Sequence, residues 1–189
     1  EFEYLLYKQQ AYQYDADLVV LVFQINNDFG DNHPNLRSTE PEYYPAFKLT
    51  DNQLELIPAT KSRTVIKQEA RSINPIHDAL YSLSYLYRLL VDRNYVRVIT
   101  QQNFEYQEEW IAETKDLTDA LILQLKDAVE ANNSQFAVVV TPRVTHTNPD
   151  YLTHLLTFLD TQSINYLDLN PVAAELSESE YRLACDGHW

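Results

Sequence analysis

The sequence predicts an α/β fold built on a helix-covered parallel sheet, and three observations predict it. Leu18-Val19-Val20-Leu21-Val22-Phe23 and Phe136–Val140 are short, continuous apolar runs rich in β-branched residues, the pattern of strands buried on both faces. Asn165–Leu169 is a third, weaker candidate. Stretches of helical spacing separate the runs, and the order strand, helix, strand, helix, strand is that of an α/β layered fold. With 189 residues, 45% of them hydrophobic, the chain can bury one sizeable core, so a single domain over 1–189 is expected.

Taken in order, Glu3–Tyr14 is a Tyr- and Gln-rich helical stretch ahead of the first strand. From His33 to Ser72 the alternation of strands and helices breaks, with Pro34, Pro41, Pro45 and Pro58 and an alternating unit, Phe47–Leu49 and Leu54–Ile57 about Asp51-Asn52. That unit reads as a hairpin inside an insertion of about residues 33–72 lying over the sheet edge. Asn74-Pro75, Asn148-Pro149 and Asn170-Pro171 each place an N-cap acceptor before a proline suited to the first helical turn. Trp110, Leu117, Leu121, Leu125, Ala128 and Val129 recur at helical spacing opposite Lys115, Asp119, Lys126 and Glu130, so Trp110–Ala131 is expected to be the longest helix. Tyr151, Leu152, Leu155, Leu156 and Leu159 give the next helix its apolar face.

Composition removes several classes of function. A net charge of −14 leaves no clustered Lys and Arg to displace counterions from phosphates, so nucleic acid is not an expected partner. Gly30 and Gly187 are the two glycines, too few for a GxGxxG or Walker A loop. Cys185 is the one cysteine, which leaves neither an internal disulfide nor a Cys-rich zinc site. His33, His77, His146 and His154 show no ligand spacing, and no metal or cofactor is expected. No apolar run approaches the roughly 18 to 20 residues of a membrane-spanning helix.

Two short segments can carry chemistry. Asn26-Asn27-Asp28 follows the first strand, and Asp186-Gly187-His188-Trp189 follows the last, so both are expected at the carboxyl edge of the sheet, where open α/β sheets bind ligands. An Asp two residues before a His can hold the imidazole Nδ1 and leave Nε2 as a base. No serine of the chain stands in a G-D-S or G-x-S-x-G context, so no nucleophile is nominated.

These two segments, at opposite ends and in this order, resemble the third and fifth conserved blocks of the SGNH (GDSL-like) hydrolase family. LVVLVFQINNDFGDN at Leu18–Asn32 is similar to a buried strand ending in G-x-N-D, and ACDGHW at Ala184–Trp189 is similar to D-G-H-W-N. SLSYLYRLL at Ser82–Leu90, the strand running into Thr141-Pro142-Arg143, and YLDL at Tyr166–Leu169 extend the likeness over essentially the whole chain. Ile25 stands where the family has glycine, and an older family spacing, Asp three residues before His, falls here on Cys185.

The resemblance implies a flavodoxin-like three-layer α/β/α domain and hydrolysis of a small-molecule, carbohydrate or lipid ester through a Ser-His-Asp triad. His188 is then the base, Asp186 its orienter, Asn27 the oxyanion-hole donor and Asp28 a supporting residue. Acyl transfer to a polysaccharide by the same machinery is one alternative. A catalytically silent binding module, suggested by Ile25, is another. The family's G-D-S nucleophile block and its oxyanion-glycine block fall before Glu1, and its terminal helix falls after Trp189. The domain is therefore expected to be incomplete at both ends, inactive alone and marginally stable, since the strands flanking Leu18–Phe23 would be missing.

Overall fold

The structure, a computed structural model, describes residues 1–25, 27–34, 36, 44–51, 53–60, 80, 83–87, 108–142 and 150–176. Strands β1 (Leu18–Phe23), β4 (Gln135–Val140) and β5 (Asn165–Asp168) form a parallel sheet in the order β1-β4-β5. Leu18 pairs with Gln135 through to Phe23 with Val140, and Ala137 with Asn165 through to Val140 with Asp168. The protein is α/β, as its apolar runs predict.

The crossovers are helical. Helix α1 (Phe2–Gln9) precedes β1, α2 (Asp28–Asn32) follows it, α3 (Glu108–Glu130) leads into β4, α4 (Asp150–Thr161) joins β4 to β5, and α5 (Asn170–Ala174) follows β5. The expected long helix is α3, and it presents Leu117, Leu121, Ile122, Leu125 and Val129 to one buried cluster with Phe136, Val138 and Val140 of β4. Leu155 and Leu159 of α4 are fully enclosed in the same cluster. Each such side chain contributes about 1.5–3 kcal/mol on burial.

Both long helices stop at a residue in the left-handed region in place of glycine. Asn133 (φ 60°) follows α3, with the Ser134 N–H donating to the Val129 carbonyl and the Asn133 N–H to that of Glu130. Ser163 (φ 52°) follows α4, where the Ile164 N–H reaches Leu159 and the Ser163 N–H reaches Asp160. These bond patterns satisfy the last carbonyls of each helix and aim the chain into the next strand.

Four expectations need correction. The first strand is not buried on both faces: Val19, Leu21 and Phe23 face the helices, but Leu18, Val20 and Val22 are 50%, 44% and 54% exposed. Among the described residues the helices packed on the sheet lie on that one face, so alternate residues of an apolar strand face solvent. The expected helix Glu3–Tyr14 divides at Gln10 (φ −139°) into α1 and a 3₁₀ turn, Ala11–Tyr14. The hairpin forms as β2 (Ala46–Thr50) and β3 (Gln53–Ile57), with Asp51 left-handed at its turn, yet it rests on α3 and α1 rather than over the sheet edge. The Phe47 ring is 5.7 Å from that of Tyr4. Finally, α5 begins one residue earlier than its Asn-Pro signal implies, with Leu169 at the N-cap position and the Asn170 N–H donating to Asp168 Oδ1 at 2.9 Å. The other two Asn-Pro signals, at 74–75 and 148–149, lie outside the described residues.

Candidate functional site

Three chain segments leave the sheet at its carboxyl edge: Gln24–Asp28 after β1, Thr141-Pro142 after β4, and Leu169-Asn170 after β5. Hydrogen bonds join them into one rim. The Phe23 carbonyl accepts both the Thr141 N–H (3.0 Å) and the Thr141 hydroxyl (3.1 Å). The Leu169 N–H donates to the Val140 carbonyl at 3.0 Å, and the Asn170 side-chain amide spans Asp168 Oδ1 (2.7 Å) and the Thr141 carbonyl (3.4 Å). Thr141, Asp168 and Asn170 had no role in the reading of the site from sequence. The signal that could have found them is position alone, since each closes or follows an apolar run.

The Asn27-Asp28 turn is built by its own side chains. Asp28 Oδ2 accepts the Gln24 N–H at 2.6 Å, and the Gln24 carbonyl accepts the N–H of Asn27 (3.3 Å) and of Asp28 (3.0 Å). This reciprocal bonding turns the chain from β1 into α2 within four residues. Ile25, in the position where a glycine was noted in the resembling family, is buried in the core. Asn27 is exposed at the start of α2, and its Nδ2 donates to Asp31 Oδ2 at 3.1 Å. The amide expected to serve as oxyanion donor thus stands at the rim with a carboxylate as its present acceptor.

Burial pushes the Asp28 carboxyl up from the ordinary 3.8 to about 6, against the lowering effect of the Gln24 N–H. A raised carboxylate pKa means the folded state binds the proton more tightly than the unfolded chain. The associated stability is present in full below about pH 3.8 and is lost as pH rises to about 6. Asp28→Asn keeps an oxygen for the Gln24 N–H and removes the buried charge. It is expected to match the wild type in denaturant unfolding near pH 3.5 and to exceed it at pH 7, with the difference growing between roughly pH 4 and 6. An unchanged difference across that interval in urea melts would show that Asp28 carries no such penalty.

Beside Asp28, a cavity of about 210 Å³ opens between α1, β1 and α3, walled by Leu21, Phe23, Leu121, Ile122 and Leu125. Glu1, Glu3, Asp28, Asp31 and Asn32 also line it, so its walls are part apolar and part acidic. Asn32 also ties α2 to α3, donating from Nδ2 to Thr118 Oγ1 (3.1 Å).

Asp186, His188, Cys185 and Asn26 lie outside the described residues, so of the expected site the structure places Asn27 and Asp28. Two histidine–carboxylate pairs went unseen in the sequence. His33 Nε2 is 3.0 Å from Glu113, and His154 Nε2 is 3.1 Å from both oxygens of Asp119. Partners 80 and 35 residues apart leave no local pattern to detect. No group of three His, Cys, Asp or Glu side chains among the described residues is placed to hold a metal ion. No helix among them is long and apolar enough to cross a membrane.

Comparison with protein-family models, with curated proteins and with solved structures returns no match to this chain. The chemistry of the rim therefore stands on its residues. An exposed amide N–H at a strand end can stabilise a developing oxyanion.

Proposed function

We propose that this chain is part of an SGNH-type serine ester hydrolase with a flavodoxin-like three-layer domain. The observation that carries the reading is the turn itself: an Asn-Asp pair at the carboxyl end of a parallel strand, with the Asn27 amide exposed at the rim. In this reading Asn27 donates to the oxyanion of the tetrahedral intermediate and Asp28 locks the turn that presents it. His188 takes the proton of a serine contributed by sequence upstream of Glu1, and Asp186 orients the imidazole. The substrate is a small-molecule, carbohydrate or lipid ester, and the reaction calls for no cofactor or metal.

Release of Asn27 from Asp31 is an inexpensive step. The pair is exposed, and an exposed neutral–charged hydrogen bond exchanges with water at a net cost of about 1 kcal/mol. A preorganised oxyanion donor contributes more, typically about 2.7–4 kcal/mol. In the intact protein Asn27→Ala is accordingly expected to lower kcat for a p-nitrophenyl ester by roughly 10² to 10³ with KM little changed.

The same hydrogen bond supports a second reading, a catalytically silent binding module, in which Asn27 and Asp31 only bond each other across the first turn of α2 and the buried Ile25 closes the position of the family's glycine. Steady-state assays separate the two. An intact protein that does not turn over esters leaves the binding reading in place, whereas turnover at a rate indifferent to Asn27→Ala removes both that reading and the role of Asn27 as oxyanion donor.

A further inference from the structure

Phe29 is 1% exposed, and its ring is held from three sides. It stacks flat on Tyr151 (centroids 4.4 Å apart, planes at 5°) and meets Phe23 at 5.2 Å and the His154 imidazole at 6.2 Å, both at steep angles. Tyr151 and His154 are three residues apart and so share a face of α4. Helix α3 grips that face at two points one turn apart. Lys115 Nζ lies 5.8 Å from the centroid of the Tyr151 ring, and both Asp119 oxygens reach His154 Nε2. Phe29 is thus seated against a two-point clamp, and it is the residue immediately after Asp28 and two after Asn27.

We infer that the His154–Asp119 pair is a positioning device for the Asn27-Asp28 turn, and that a change in the charge of the pair is relayed to the turn through Phe29. Both ends of the relay are well packed. His154 and Asp119 are largely but not wholly enclosed, so protons reach them, and Phe29 has no space into which a displacement of the clamp can dissipate. Burial pushes the Asp119 carboxyl above the usual range, while His154 pulls it back, so the proton count of the pair changes in the mildly acidic range. The charged groups around the pair are Lys115 and Asp116 on α3. On the α2 side stand Asp28 and Asp31, with the His33–Glu113 pair closing its far end. On β5, which packs against α4, Asp168 is engaged by the Asn170 amide.

The bearing of this relay on catalysis rests on Asn27 being the oxyanion donor. The relay itself is measured without turnover, so failure of either idea shows separately. The experiment is a pH titration from 5 to 8 of the intact protein in the Asp28→Asn background, which removes the titrating carboxyl of the turn itself. It follows the Asn27 side-chain amide and the Phe29 backbone amide by ¹H–¹⁵N NMR, together with the His154 ring C2 proton.

Expected is a step in the Asn27 and Phe29 signals near pH 6, where burial places the Asp119 carboxyl. Adding His154→Gln removes the group that lowers Asp119 and is expected to move the step to higher pH. Adding Asp119→Asn together with His154→Gln, which leaves no titrating group in the pair, is expected to abolish the step while the dispersed spectrum of the folded protein is retained. A merely structural role would leave no pH signature for the double substitution to remove. Flat Asn27 and Phe29 signals across the titration would overturn the inference. So would a step that persists in the double variant, which would place its origin outside the pair.

Discussion

Replacing His188 with alanine in the intact protein is expected to lower kcat for ester hydrolysis by on the order of 10⁶, to the residue of catalysis left by binding and the oxyanion hole. The magnitude follows from the number of proton transfers routed through one imidazole. As base it takes the proton of the attacking serine and as acid returns it to the leaving alkoxide. In deacylation it repeats both transfers with water. Asp186 acts through that ring by holding its tautomer, so Asp186→Asn is expected to cost less, on the order of 10⁴. The graded pair is more informative than either variant alone, because a His and Asp that merely share a loop give no ordered losses. Both variants are to be compared by kcat and by single-turnover trapping of the acyl-enzyme. Equal, small effects in the two would dismiss the triad and leave the α/β fold standing without it.

The largest expected effect on folding is that of Phe29→Ala. The ring is enclosed by Phe23, Tyr151 and His154, and its loss leaves a cavity that four packed elements cannot close without moving. Truncations of this kind destabilise by about 3–5 kcal/mol, which combines lost transfer energy with the cavity term. The stacked and edge-on ring contacts account for roughly 0.5–1.5 kcal/mol each within that sum. Phe29→Leu is expected to recover a substantial part through volume while losing the ring geometry. Urea unfolding followed by tyrosine fluorescence reads both, and a loss below about 1 kcal/mol for the alanine variant would mean that the surroundings collapse onto the vacated space. A domain with the usual 5–15 kcal/mol of stability has little to spare against such a loss.

Phe29 also illustrates why the site was only partly legible in the sequence. Its neighbour Asn27 drew attention because it follows an apolar run, and a run is a local pattern. Nothing local marks Phe29, whose partners Tyr151 and His154 lie more than 120 residues away and are brought to it by the pairing of β1 with β4. His154 has no ligand spacing to any other histidine, and its partner, Asp119, stands in the sequence among the polar residues of α3. That face is polar because it meets another helix through an ion pair, which hydrophobic periodicity does not distinguish from a face that meets water.

The corrected strand follows the same logic. Leu18, Val20 and Val22 read as buried because alternating burial cannot be inferred from a run in which every residue is apolar. What covers or leaves open each side of β1 depends on where the helices go. Helices α1, α3 and α4 take the side of Val19, Leu21 and Phe23. The start of α5 depends on its surroundings in a similar way, since the Asn170 N–H is engaged by Asp168, two residues earlier and paired at the end of β5, and Asn170 itself falls inside the helix.

By itself the sequence determined the elements whose cause is local. These are β1, β4 and β5 from β-branched apolar runs, α3 and α4 from apolar residues recurring with the helical repeat, and the hairpin from alternation about Asp51-Asn52. It also placed Asn27 and Asp28 at a strand end, because a polar pair that ends an apolar run has nowhere else to go. Only the tertiary structure decided which strand edges adjoin, which face of β1 is covered, and how Thr141, Asp168 and Asn170 join the rim. It alone paired His154 with Asp119 and His33 with Glu113. Those are contacts between residues far apart along the chain, and their free energy depends on distances that exist only after the strands have paired and the helices have packed.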